Sequence, residues 1–163
     1  MLGFTRSILV RALVLGIAAG MRSQTPGAVL AYRQPSAPRR AGWRSWPVLG
    51  STWGRRALML SGAGELAADK LPDIPPRTSP GSLTGRLLMG TLAGLAIGTE
   101  GSGKAALARG AVAGLAGAAI GAFGGQRARQ AMVDMTGLPD PAVAVVEDLA
   151  AVSLANNAIQ HRR

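Results

Sequence analysis

Several chemically reactive residue types are scarce in this sequence. It has no cysteine and one histidine. The lack of cysteine excludes disulfide bonds, thiolate metal sites and thiol nucleophiles. The histidine, His161, stands beside Arg162 and Arg163 in a polar tail, so the sequence offers no nucleophile–histidine pair for acyl transfer. We therefore predict no cofactor, no metal site and no enzymatic activity.

Acidic residues are also few, with 8 Asp and Glu against 18 Lys and Arg, for a net charge of +10. Such an excess fits either nucleic acid or anionic lipid. Arginines alternate with tryptophans and prolines over residues 33–56, and this combination suits a lipid headgroup layer. Stacking on nucleic-acid bases is the alternative. We predict a basic, Trp- and Pro-containing interfacial loop at 33–56 that contacts anionic lipid, and no nucleic-acid partner.

Hydrophobic residues make up 48% of the chain and are segregated into blocks. The blocks cover residues 8–20, 57–68, 87–98, 105–124 and 141–159. A helix of about 20 residues crosses a bilayer core of about 30 Å. The pattern predicts an all-α integral membrane bundle of about four to five spans, with residues 1–163 forming a single membrane domain.

Two of the predicted spans are interrupted. Residues 21–27 break the first block; Thr25 is a candidate N-cap, Pro26 fits the first helical position, and a new helix is predicted to run to about Tyr32. Because apolar sequence resumes after this break, we expect the segment to remain in the protein rather than to be a cleaved signal peptide. The second block ends at Leu71 and Pro72, before a connector rich in proline.

Glycines recur at spacings of three or four residues, which clears one face of a helix for close packing. They are Gly16 and Gly20, then Gly90, Gly94 and Gly98, then Gly110, Gly114, Gly117, Gly121 and Gly125. Two interpretations remain open: packing within one chain, or the seam of a homo-oligomer.

The distribution of loop charges predicts an orientation. If residues 33–56 face the cytoplasm, Lys104 and the terminal arginines join them. The other side then holds Arg6, Arg77, Arg127 and Arg129. The bias predicts an external N-terminus.

Acidic residues interrupt two apolar blocks. Glu65 and Asp69 are four residues apart, and Glu147 precedes Asp148. Carboxylates stacked on one helical face repel each other unless a proton, a cation or an arginine lies between them. Intramembrane ionisable residues are functional candidates by default.

Arg22, Ser23 and Thr25 at the first break supply a guanidinium group, hydroxyl groups and the free amides of a helix start, which together can bind an anion. Alternatively, Arg22 only neutralises the buried acids. We predict one central site for a small ion, a polar solute or an anionic headgroup. Its candidate residues are Arg22, Ser23, Thr25, Glu65, Asp69, Lys70, Arg77, Glu147 and Asp148.

The two halves of the chain share a pattern. Each has a glycine-rich helix that ends in arginine, Arg22 or Arg127, followed by an acidic helix. Such a pattern is typical of a weak inverted repeat with a shared site.

Three motifs resemble one protein family. Residues 16–23 with Thr25 and Pro26, residues 64–72 with Pro76 and Arg77, and residues 146–148 are similar to the small bacterial membrane proteins grouped as domain of unknown function 4126. The resemblance implies an integral membrane protein of unassigned activity and brings no functional residues with it. With the apolar blocks, it predicts a multi-pass protein of the bacterial plasma (inner) membrane.

One enzyme signature competes with these predictions. Residues 98–104 have the spacing of a phosphate-binding loop, but Ala105 stands where Ser or Thr would hold magnesium, and the preceding glycine pattern is helical. We therefore predict a transporter or channel with a central charged site. The alternative is a non-transporting membrane scaffold whose buried charges are structural pairs.

Overall fold

The structure, a computed structural model, describes residues 8–68 and 78–160 and is helical, with no strand in that part of the chain. Its α-helices are α1 (Ile8–Met21), α2 (Thr25–Arg33), α3 (Pro47–Gly50), α4 (Thr52–Ala68), α5 (Pro80–Gly98), α6 (Gly103–Thr136) and α7 (Asp140–Ile159). Short 3-10 turns at Gln34–Ser36 and Gly42–Ser45 lie between α2 and α3. The all-α prediction is confirmed. The candidate residues Asp69, Lys70 and Arg77 lie outside the described residues.

Helix α1 lies at the centre of the bundle and packs against α5, α6 and α7. It runs parallel to α6, because Gly16 faces Gly114 whereas Gly20 faces the residues around Gly121. An inverted repeat would require these two glycine-rich, arginine-terminated helices to run in opposite directions. The predicted inverted repeat is therefore wrong for this pair, since a shared residue pattern carries no information about helix direction.

The regularly spaced glycines from Gly16 to Gly121 pack inside the chain. A Cβ atom on Gly94 of α5 would lie 2.9 Å from the Cα of Gly114 on α6, and closer still to the carbonyl oxygen of Gly110. Gly117 and Gly121 of α6 meet the backbone of α1 in the same way. For these glycines the structure supports packing within one chain, one of the two interpretations left open by the sequence.

The first apolar block forms a hairpin rather than a kinked span. Arg11 near the start of α1 donates from Nε to the carbonyl oxygen of Ala158 at 2.7 Å, and Arg33 at the end of α2 donates to Oδ1 of Asn156 at 2.8 Å. Both ends of the hairpin thus reach the same end of α7. The break at Arg22 lies beside Asp148, about three turns away on α7.

The hairpin brings the start of α1 to the end of the bundle that carries residues 33–56. Trp43 of that segment and Arg11 both contact Glu100. The predicted placement of the N-terminal side opposite the basic segment is therefore wrong for the described start of α1. The prediction from loop charges assumed that the first apolar block crosses the membrane once. Because α2 turns back along α1, the start of α1 and segment 33–56 lie at the same end of the bundle.

Two polar regions lie at opposite ends of the packed helices. We call the region around Arg11, Trp43 and Glu100 the loop end, and the region around Arg22 and Glu65 the break end. Arg11 and Arg22 are separated by about 16 Å along α1, at about 1.5 Å per residue.

The tryptophans of segment 33–56 differ in burial. Trp43 is fully buried and joins the core, Trp46 is partly buried, and Trp53 is 77% exposed. The expectation that these rings lie together in a headgroup layer does not hold for Trp43. Its indole instead donates to Glu100 Oε1 at 3.1 Å.

Helix α6 continues to Thr136, well beyond the predicted block that ends at residue 124. Arg127 and Arg129 consequently lie in a helix, not in the loop assigned to them. The helix ends at Gly137, whose φ of 65° gives the left-handed conformation that favours glycine. Its 34 residues span about 51 Å.

In the described part of the chain, α6 and α7 are long and apolar enough to cross a membrane, and α1 is apolar but shorter.

Candidate functional site

The site is built around the start of α2. Glu65 of α4 accepts hydrogen bonds from the backbone N–H and the hydroxyl of Ser23 and from the backbone N–H of Gln24, each at 2.7 Å. These are the free amides that precede a helix, and the helix dipole also favours a negative charge here. The position that the sequence predicts as an anion site is thus occupied by the chain's own carboxylate.

The predicted N-cap at Thr25 is wrong by one residue. Thr25 is the first residue of α2, and Gln24 holds the cap position without a side-chain cap hydrogen bond. Glu65, distant in sequence, replaces a local cap. Thr25 itself is buried, with 2% of its surface exposed.

The other side of the break is capped by Arg86 of α5. Its Nη1 donates to the carbonyl oxygens of Gly20 and Met21 at 3.0 and 2.7 Å. Carbonyl groups at a helix C-terminus lack intrahelical partners and carry partial negative charge, so a guanidinium group stabilises them. Arg86 and Glu65 therefore stabilise the two helix ends that the break exposes.

Arg22 lies between the two capped ends and is fully buried. Its Nε donates to Oδ1 of Asp148 at 2.6 Å, and its Nη2 lies 3.9 Å from Oε2 of Glu147. This geometry supports the charge-neutralising interpretation of Arg22, which is compatible with the anion-binding interpretation that the sequence also left open. A buried arginine without a carboxylate would be strongly destabilising.

The ion pairs continue outward along α6 and α7. Arg129 lies 3.6 Å from Glu147 and forms a paired hydrogen bond with Asp140 at the start of α7. The Asp140 side chain is 60% exposed, so the chain of charges runs from the buried Arg22 to the surface.

Six of the nine predicted site residues come together at the break end: Arg22, Ser23, Thr25, Glu65, Glu147 and Asp148. The sequence interpretation missed Arg86 and Arg129. A lone arginine inside the glycine-rich α5 was an available signal for Arg86. No local signal identified Arg129, because its role depends on the continuation of α6 past the apolar block.

A second buried network lies at the loop end. Arg11 pairs with Glu100 at 2.5 Å, and Glu100 also accepts from Trp43. The hydroxyl of Thr99 accepts a hydrogen bond from the Trp43 backbone N–H at 3.0 Å. This network holds segment 33–56 against the turn between α5 and α6.

The same turn contains the phosphate-loop spacing. Residues 98–104 connect two helices rather than a strand and a helix, and Glu100 within them is engaged by Arg11. The structural context required for phosphate binding is absent from this segment.

Helix α7 places two carboxylates inside and large apolar side chains outside. On α7, Glu147 and Asp148 are each 8% exposed, whereas Val146 is 48% and Leu149 65% exposed. In water-soluble domains, Glu and Asp are rarely buried to this extent unless they are paired. Other large apolar side chains that face outward are Leu88 and Leu92 on α5, and Val112, Leu115, Ile120 and Phe123 on α6.

Glu65 differs from the other acids of the site. It is only partly buried, and among the described residues its partners are the uncharged donors of Ser23 and Gln24 rather than an arginine or lysine. Glu65 therefore holds the start of α2 through uncharged donors, whereas Arg22 and Asp148 neutralise each other.

Comparisons of the chain with family models, with characterised proteins and with solved structures found no match.

Proposed function

We propose that the chain is an integral membrane protein that moves a small ion or polar solute through the break end. The observation that carries this proposal is the burial of Arg22, Asp148 and Glu147 behind apolar side chains that face outward. In a bilayer, that outer surface contacts lipid and the charges lie in the interior. Membership of the domain of unknown function 4126 family is part of this proposal.

The break itself supports transport. Interrupted helices in a membrane persist where their free backbone groups are satisfied by protein or line a wet cavity, and such breaks commonly form ion and solute sites. Here Glu65 fills the position at the start of α2. We assign Glu65 as the exchangeable group, whose protonation or cation binding frees the α2 amides during a transport cycle.

The proposed orientation places the loop end in the cytoplasm. Exposed cationic residues at this end are Arg39, Arg40, Arg56, Lys104 and Arg109. Among the described residues, the acid at this end is Glu100, which is paired with Arg11. The positive-inside tendency favours this side, and anionic headgroups are its proposed lipid partner.

Proteoliposome flux tests transport. Purified protein is reconstituted with a pH-sensitive dye inside the vesicles, and proton entry is followed under a potassium diffusion potential. We expect wild-type protein to carry protons, alone or coupled to added sodium or chloride, and Glu65→Gln to abolish that flux while remaining folded. Asp134→Asn is the matched control, because it removes one acidic charge from the exposed end of α6; its flux should equal that of wild type.

A membrane scaffold is the second candidate function. It is favoured by the neutralised pairs Arg22–Asp148 and Arg11–Glu100 and by the tight glycine contacts. A scaffold predicts vesicles that stay tight to protons, sodium and chloride with every variant. It also predicts that Glu65→Gln impairs folding, because the capped break would then serve stability alone.

A further inference from the structure

A groove on the outer surface of α6 remains unexplained by the proposed transport site. It has a volume of about 250 Å³ and lies at the break end of the bundle. Its lining residues are Thr78, Phe123, Gln126, Arg127 and Gln130. Phe123 forms the side of the groove that is nearer the middle of the molecule, and polar side chains form the rest of the lining.

Two polar groups of the groove lack partners among the residues that the structure describes. The Oε1 atom of Gln126 is buried and accepts no hydrogen bond from any of them. Arg127 is exposed, and no ion pair joins it to any residue within 8–68 or 78–160. Buried polar atoms in native proteins are rarely left unsatisfied, so an unpaired acceptor beside a free guanidinium group points to a ligand with both a donor and an anionic group.

An apolar stripe leads from the groove toward the loop end. Val112, Leu115, Ile120 and Phe123 are 67%, 42%, 54% and 45% exposed and recur at the three-to-five-residue intervals of one broad helical face. From Val112 to Phe123 the stripe is about 16 Å long. One leaflet of a bilayer core is about 15 Å thick. The stripe therefore matches the length of a single acyl chain.

We propose that this groove binds an anionic phospholipid with a hydroxylated headgroup, of which phosphatidylglycerol is the simplest example. Arg127 pairs with the phosphate oxygens, a headgroup hydroxyl donates to Gln126, and the acyl chain lies along the stripe that ends at Phe123. The inference rests on the proposed membrane location. It does not require transport.

Native mass spectrometry of the full chain, released from nanodiscs that contain equal amounts of phosphatidylglycerol and phosphatidylcholine, tests the site. We expect wild-type protein to retain phosphatidylglycerol selectively and Arg127→Gln to lose about tenfold or more of that affinity, because a charge-assisted contact to phosphate is removed. Gln126→Leu should reduce selectivity for the hydroxylated headgroup while leaving general lipid retention intact.

Arg109→Gln is the matched control, since Arg109 is another exposed arginine of α6 but lies outside the groove. Equal retention by wild type and Arg127→Gln, or an equal loss in Arg109→Gln, would overturn the lipid site. Failure of the membrane proposal gives a different result: the chain would be monomeric and soluble without detergent. A protein that carries ions but shows no preference for phosphatidylglycerol over phosphatidylcholine would refute the lipid site and leave the transport proposal standing.

Discussion

At the scale of single residues, the site depends on charges that compensate one another. Arg22 is fully buried, and its closest acid is Asp148. Removing one member of a buried pair typically costs 3–5 kcal/mol, because the other charge is left without compensation. Pairs at the surface contribute roughly 0–1 kcal/mol. Burial, rather than the number of ion pairs, therefore decides which acids the fold requires.

This contrast gives a stability prediction. Asp148→Asn should lower the free energy of unfolding by about 3 kcal/mol, at the low end of the usual range because Glu147 remains near Arg22. Asp140→Asn, which disturbs the exposed pair with Arg129, should lower it by no more than about 1 kcal/mol. Denaturant unfolding in detergent measures both. Equal losses would show that the buried pair has no special role.

At the scale of helices, close packing through glycine holds the bundle together. Gly94 and Gly114 approach so closely that a Cβ atom on Gly94 would meet backbone atoms of α6. Backbone cannot move aside as a flexible side chain can, so an added methyl group forces the helices apart. Gly85 lies on α5 like Gly94, but a Cβ atom added to Gly85 would meet open space.

Gly94 and Gly85, both on α5, should therefore respond in opposite ways to substitution by alanine. Gly94→Ala should destabilise the protein by about 1–3 kcal/mol through overpacking. Gly85→Ala should stabilise it by up to about 1 kcal/mol, because alanine has the higher helix propensity and meets nothing. Thermal unfolding monitored by circular dichroism distinguishes them. Destabilisation of similar size by both variants would contradict the close contact between α5 and α6.

At the scale of the whole molecule, the hairpin of α1 and α2 determines which segments share a side. The start of α1, segment 33–56 and the turn between α5 and α6 meet around Glu100. The far end of α6, with Asp134 and Thr136, extends beyond the opposite end of the bundle, because α6 runs parallel to α1 and is much longer.

The absence of native cysteine makes this arrangement directly testable by labelling. In sealed vesicles, Ser36→Cys and Lys104→Cys should react with a membrane-impermeant maleimide from one side, and Thr136→Cys from the other. The functional proposal predicts that the first side is the cytoplasm. Labelling of Ser36→Cys and Thr136→Cys from the same side would refute the assignment of α6 as a span.

The helical class, the segregation of apolar and charged residues, and most members of the break-end site can be predicted from the amino-acid sequence. These properties are local: block composition, glycine spacing and the break at Arg22 can each be read within a few turns of helix. The acids Glu65 and Asp148 stood out because charge is rare in apolar blocks.

Tertiary contacts set the direction of α2, the capping of the break by Glu65 and Arg86, and the pairing of Arg22 with Asp148. Each depends on contacts between residues 41 to 126 positions apart in the chain. A break frees backbone groups but leaves both the path of the next helix and the identity of the capping side chain undetermined. Long-range packing sets both. The extension of α6 through Arg127 and Arg129 is instead local, because residues 126–132 are good helix formers; the apolar block ends before them, since only the burial of apolar side chains stops there.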